Sequence, residues 1–172
     1  MTRHTVFLAA LIALITTGFS EFAQGQEVQI LDYGIYTARV ENILNEPNSP
    51  TGQARLIRTD LAKQTNVIPA LLTTKFGFRF KVVGPPQGTT ARLRLRFTFP
   101  EMTNPTNGKA SSSYEITGDV PVAPEEQGMF WDFVHPWEMR PGKWTMSLYN
   151  GDRLLVQKIF TVVEDTKSGI GK

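Results

Sequence analysis

Two stretches of this chain alternate strictly between apolar and charged or polar residues, and no other feature restricts the fold so strongly. "KFGFRFKVV" sets Phe76, Phe78, Phe80 and Val82 on one side and Lys75, Arg79 and Lys81 on the other. "ARLRLRFTF" sets Leu93, Leu95, Phe97 and Phe99 against Arg92, Arg94, Arg96 and Thr98. Successive side chains of a β-strand point to opposite faces, so a period of two describes a strand with one buried and one wetted face. Antiparallel sheets accommodate such strands.

The rest of the chain extends the pattern. "EVQILDYGIYTARV" reads as a first strand, bent or bulged at Gly34. "ARLIRT" (54–59) and "TNVIPA" (65–70) are weaker strands, and Pro69 moves the second to an edge or a bend. "SYEITG" and "GMFWDFV" add two more. At the C-terminus "KWTMSLY", "NGD" and "RLLVQKIFTVV" read as a hairpin, with Asn150-Gly151 suited to central residues of positive φ. Trp144, Met146 and Leu148 share a face. The last strand is apolar on both sides, so its inward face stays open. Segments such as "GPPQG" and "PEMTNPTNGKASS" supply turn chemistry, and no amphipathic run is long enough for a helix. The expected fold is all-β, an antiparallel immunoglobulin-like β-sandwich of about seven to nine strands.

The ends bound the domain. Arg3, the run "TVFLAALIALITTGF" and the small residues Ala23 and Gly25 read as a signal peptide over residues 1–25. The run is shorter than the roughly 20 apolar residues of a membrane span, and nothing later is apolar enough to span a bilayer. A single domain over 26–163 and a frayed tail over 164–172 follow. Export leads to the periplasm or to secretion. The absence of cysteine removes thiol catalysis, Cys-rich zinc sites, iron–sulfur clusters and lipoprotein anchoring. A net charge of +2 is too small to imply a nucleic-acid partner.

Catalytic chemistry finds little support. His135 is the only histidine beyond the signal segment, and no G-x-S-x-G elbow accompanies it. One histidine with carboxylates is a poor zinc set, and no Gly-rich phosphate loop opens a helix. Glu125, Glu126 and Asp119 lack the D-x-D-x-D-G spacing of a calcium loop. No cofactor, metal or catalytic residue is therefore assigned. Glu101, Glu115, Asp132 and Glu138 could supply a carboxylate pair for glycan hydrolysis, but their spacing selects no two of them. An envelope glycan-acting enzyme of that kind is the alternative function.

Two features are candidate binding residues. The first is the basic stripe of Arg92, Arg94 and Arg96, which follows that of Lys75, Arg79 and Lys81. If the two strands paired across "GPPQG", like charges would oppose one another. Either the strands sit in opposite sheets, or acids such as Glu115 and Asp132 lie alongside. As a site the stripe would take an anionic glycan or an acidic partner; as structure it is a solvated face. The second is "FVHPWEMRPGKW" (133–144). Trp144 and Trp131 fall in phase with core residues, and Trp137 belongs nearest the surface. Pro136 holds His135 extended, and Pro141-Gly142 makes a turn. His135 and Glu138 are close enough to hydrogen-bond within one loop and brace a corner between strands, or else His135, Trp137 and Glu138 line a pocket. Bracing predicts that His135→Ala lowers the melting temperature by several degrees.

The strings "DYGIY", "IPALLTTKFGFRFKVVGPPQG", "RFTFP" and "FVHPWEMRPGKWTMSLYNGDRLLVQKIFTV" resemble a family of uncharacterised bacterial exported proteins, the domain of unknown function 3859. The resemblance runs from Val28 to Val163 and is less clear over 101–128. It implies a β-sandwich and carries over no catalytic residue. The expected function is that of a periplasmic, non-enzymatic binding or accessory module. Its partner would be an envelope protein or an anionic glycan.

Overall fold

The computed structural model describes residues 25–45, 53–84, 87–123 and 126–165. Of the expected signal segment only Gly25 is among them, and the expected tail is described as far as Asp165. The described chain forms nine strands: β1 (Glu27–Asn45), β2 (Gln53–Lys63), β3 (Val67–Pro69), β4 (Lys75–Val83), β5 (Thr90–Thr103), β6 (Ala110–Pro121), β7 (Gln127–Asp132), β8 (Gly142–Asn150) and β9 (Arg153–Val163). The one helical element among the described residues is a 3-10 turn, Pro136–Glu138. The strands make two sheets, ordered β2-β1-β4-β7 and β3-β9-β8-β5-β6.

The alternating strands supply the two inner faces. Phe76, Phe78, Phe80 and Val82 of β4 are buried against Leu93, Phe97 and Phe99 of β5, with Trp144, Met146 and Leu148 of β8 beside them. β4 and β5 lie in opposite sheets, so their basic faces never meet. Trp144 sits at the centre of an aromatic cluster, 5.0 Å from Phe99, 5.4 Å from Trp131, 5.6 Å from Phe133 and 5.7 Å from Phe76 between ring centroids. Edge-on and tilted contacts of this kind add to the stabilisation from burial alone. The inward face of β9, which its composition leaves ambiguous, is that of Phe160 and Val162. Lys158 shares their phase and caps the layer, its ammonium 3.1 Å from the centre of the Tyr33 ring.

Three local expectations are refined. The sandwich is not wholly antiparallel: the short edge strand β3 runs parallel to β9. Pro69 is tolerated there because the outer side of an edge strand needs no ladder donor. In the C-terminal hairpin Asn150 pairs with Arg153, so the turn centres on Gly151-Asp152 and only Gly151 takes positive φ (58°). The irregularity expected at Gly34 falls beside it, at the register shifts Ile30/Asp32 and Ile35/Tyr36, and Gly34 itself meets a contact requirement. Gly34 lies opposite Gly77 in the β1–β4 ladder, with φ of 142° and 155°. A Cβ at Gly34 would stand 2.0 Å from the Lys63 carbonyl oxygen, and one at Gly77 2.0 Å from that of Met129. Two glycines in facing strands thus let adjacent backbones approach where any side chain would collide.

Candidate functional site

The pairing of Gly34 with Gly77 brings two of the distinctive strings together. "DYGIY" lies on β1 and "FGFRF" on β4. On the outer face of their sheet the Tyr36 hydroxyl donates to Asp32 (2.6 Å). Arg79 donates to both carboxylate oxygens through Nε (3.0 Å each) and again through Nη2. Its Nη1 also reaches Glu126 at 3.5 Å. The Arg79 guanidinium holds the Asp32 carboxyl below its ordinary value against the opposing effect of burial. Burial and the neighbouring Asp32 push the Tyr36 phenol well above its ordinary range. Asp32 and Tyr36 were absent from the residues singled out by sequence.

The sign of the pH effect follows. A carboxyl depressed in the folded state stabilises fully above its unfolded value, about pH 4, and that contribution is lost as the pH falls through the depressed value. Asp32→Asn should therefore cost roughly 1–2 kcal/mol near pH 7. Chemical denaturation of both proteins from pH 7 to pH 2.5 should show the gap narrowing below pH 4. A gap independent of pH would contradict the ionic role of Asp32.

The arginine stripe lies on the outer face of the other sheet. Each member faces an acid: Arg92 with Asp119 (3.5 Å), Arg94 with Asp152 (3.8 Å) and Arg96 with Glu115 (3.3 Å). Arg94 also stacks over Tyr149, 4.9 Å from the ring centre. Three arginines against three carboxylates leave no local excess of charge. Such exposed pairs are worth about 0–1 kcal/mol each. Of the earlier stripe, Lys75 pairs with Asp132 (2.7 Å) and Lys81 with Glu126 (3.8 Å). Both explanations for the like-charge conflict, opposite sheets and interleaved acids, hold together.

At the corner after β7, Glu138 turns back on its own loop. Its Oε2 accepts the backbone N–H groups of Val134 (2.7 Å) and His135 (2.9 Å). The Glu138 N–H donates to the His135 carbonyl (3.0 Å). The pair named from sequence thus meets, with the carboxylate and the His135 backbone as the joined groups. The His135 ring is exposed and stacks on Trp137, 5.7 Å apart and 10° from parallel. The bracing loss is therefore expected at Glu138: Glu138→Ala should cost roughly 1 kcal/mol, and His135→Ala less than about 0.5 kcal/mol. Thermal unfolding of the two variants checks the order. The buried Trp144 indole ties into the same corner by donating to the Arg140 carbonyl (3.0 Å).

Three concave regions adjoin this corner, one of them lined by Thr73, Asp132, Phe133 and Val134 among others. Another is an open cleft of about 860 Å³ at the end of the sandwich, lined by Leu71, Leu72, Met139 and Arg140 among others. The third, a cleft of about 270 Å³, lies between the β5–β6 connection and β7, with Tyr114, Trp131 and Trp137 on its walls. Trp131 packs on Phe97 and Phe99 at 5.4 and 5.2 Å, and its indole N–H is buried with no partner among the described residues. Among the described residues no group of three or more His, Asp or Glu side chains could hold a metal ion. Glu125, one of the acids weighed for calcium, lies outside the described residues.

The sequence matches the family described as Domain of unknown function (DUF3859) over residues 24–162. The chain belongs to the DUF3859 family. No curated protein matches it. A crystal structure of an immunoglobulin-like protein from Pseudomonas aeruginosa is 28% identical, with a TM-score of 0.59 over 83% of this chain and 99% of that one. The immunoglobulin-like sandwich expected from the alternating strands is thus the fold of this DUF3859 domain. The Asp32–Tyr36–Arg79 cluster, the Glu138 corner and both clefts draw on residues inside the matched DUF3859 segment.

Proposed function

We propose that this DUF3859 domain is an exported, periplasmic, non-enzymatic binding or accessory module of the bacterial envelope. Its partner is an envelope protein that docks on the loop end formed by residues 70–74 and 133–141. The observation that carries this reading is a strained turn holding apolar side chains in solvent. Leu71, Leu72 and Val134 are 42%, 47% and 64% exposed. Thr73, between them and β4, takes φ of 65°. A β-branched residue in that conformation costs on the order of 1–3 kcal/mol and persists only where its surroundings enforce it. Here they do: Thr73 N–H donates to the Phe133 carbonyl (2.8 Å) and Phe133 N–H to that of Thr74 (3.1 Å). The two loops are locked to one another, and a pre-ordered apolar tip binds without paying for its own ordering.

The glycan-acting alternative needs two free carboxyl groups across a cleft. Glu115 faces Arg96, Asp132 faces Lys75, Glu138 holds backbone N–H groups and Glu101 stands exposed on β5, so the four acids lie on four different elements. That dispersal favours binding over hydrolysis. The test uses immobilised wild type and a Leu71→Ser, Leu72→Ser double variant as baits in envelope extract. Wild type is expected to retain a defined protein that the variant loses, with melting temperatures matching within about 2 °C because both leucines are exposed. Equal capture by both baits would contradict the proposed surface.

A further inference from the structure

We infer that the smaller cleft, between the β5–β6 connection and β7, is a saccharide site whose ligand carries a carboxylate. The inference deepens the binding-module reading by naming a ligand class, and rests on it. The cleft holds about 270 Å³, below the ~300–1,000 Å³ of sites that enclose drug-sized ligands, which suits one or two sugar residues. Four aromatic side chains line it, Phe99, Tyr114, Trp131 and Trp137, and Phe99 is buried. Tyr114 is half exposed, Trp137 is partly exposed with His135 stacked on one face, and Trp131 forms the inner wall. Flat aromatic faces receive the C–H face of a sugar ring, and amphipathic rings of this kind supply contact area at little entropic cost.

The polar lining is Asn104, Asn107, Ser111, Ser113 and Lys109, of which only Lys109 is charged. Asn104 Oδ1 already accepts from Thr106 N–H (2.9 Å) and Asn107 Oδ1 from Lys109 N–H (3.0 Å). Each asparagine still offers its two amide N–H donors and one further lone pair on Oδ1. The turn that carries them is closed by Asn104 N–H to the Lys109 carbonyl (3.0 Å) and Gly108 N–H to the Asn104 carbonyl (2.8 Å), so these donors sit on an ordered frame. Lys109 lines the cleft and makes no ion pair among the described residues. Aromatic walls with an ammonium and asparagine amide groups complement a ring that has an apolar face and a negative charge. A sugar acid has both. A neutral sugar offers the apolar face but leaves the Lys109 ammonium unanswered.

The test is a titration of the purified protein with galacturonic acid trisaccharide, read by tryptophan fluorescence and calorimetry. Maltotriose serves as the neutral control and a short poly-glutamate peptide as the acidic one. The expected result is saturable binding of the trigalacturonate, weakened by added salt. Lys109→Gln should weaken it roughly tenfold, and Trp137→Ala or Tyr114→Ala by at least that, with the exposed Lys109 and Tyr114 variants keeping the wild-type melting temperature. No binding of trigalacturonate at millimolar concentration overturns the inference. So does maltotriose binding of equal strength that ignores Lys109→Gln, or peptide binding of equal strength. If the titration fails while the Leu71, Leu72 surface still captures its envelope protein, the saccharide site falls and the binding-module reading stands.

Discussion

Replacing Trp144 by alanine should destabilise the domain by about 3–5 kcal/mol, the range for truncating a fully buried large aromatic side chain. The indole is 1% exposed and touches rings from both sheets, Phe76, Trp131 and Phe133 on one side of the sandwich and Phe99 on the other. Neighbours so tightly arranged collapse only partly into the space it leaves, so a cavity cost adds to the lost burial. In a domain of this size the melting temperature should fall by roughly 10 °C or more. Trp144→Phe separates the contributions. It keeps most of the packing but frees the Arg140 carbonyl and leaves a smaller void, and should cost about half as much. A Trp144→Ala loss below about 1 kcal/mol would mean that the aromatic cluster does not centre the core.

Gly77→Ala should be comparably damaging, although it adds only one carbon. That carbon would sit 2.0 Å from the Met129 carbonyl oxygen, a backbone atom in the neighbouring strand, at a φ of 155° that side chains rarely adopt. Relief requires β4 and β7 to part, which breaks ladder hydrogen bonds beneath Phe76 and Phe78. A loss of at least about 3 kcal/mol is expected, through strain and displaced backbone together. Gly34→Ala should behave likewise against Lys63. Gly118→Ala is the control: a Cβ there meets nothing within 4 Å, and stability should change by less than about 0.5–1 kcal/mol. Equilibrium denaturation of the three variants decides the matter, and equal losses at Gly77 and Gly118 would refute the close-approach explanation.

Much of the fold was legible because its strands are half-wetted. Phe76, Phe78 and Phe80 alternate with charges, and that alternation declares both strand and face. Where β9 is apolar on both sides, the same reading has no contrast to work with, and Ile159 at 43% exposure shows that an apolar residue can face outward without penalty to the pattern. The arginine stripe was visible as an anomaly. Its partners were not assignable in full, since Asp119, Asp152 and Glu115 reach it from β6 and a hairpin turn through long-range pairing. Asp32 and Arg79 are 47 residues apart, and nothing in that separation announces an ion pair. Glu138 was legible because it acts within four residues. The small cleft was not, because its Asn and Lys residues double as turn formers and its tryptophans lie on a different element.

The proposed envelope role requires export, so the place the chain reaches tests it most directly. The measurement is fractionation of cells expressing the full chain, with N-terminal sequencing of the recovered protein. The expected result is a species beginning at Gln26 in the periplasm or medium. A full-length chain starting at Met1 and confined to the cytoplasm would contradict it, and with it the envelope role of this DUF3859 domain.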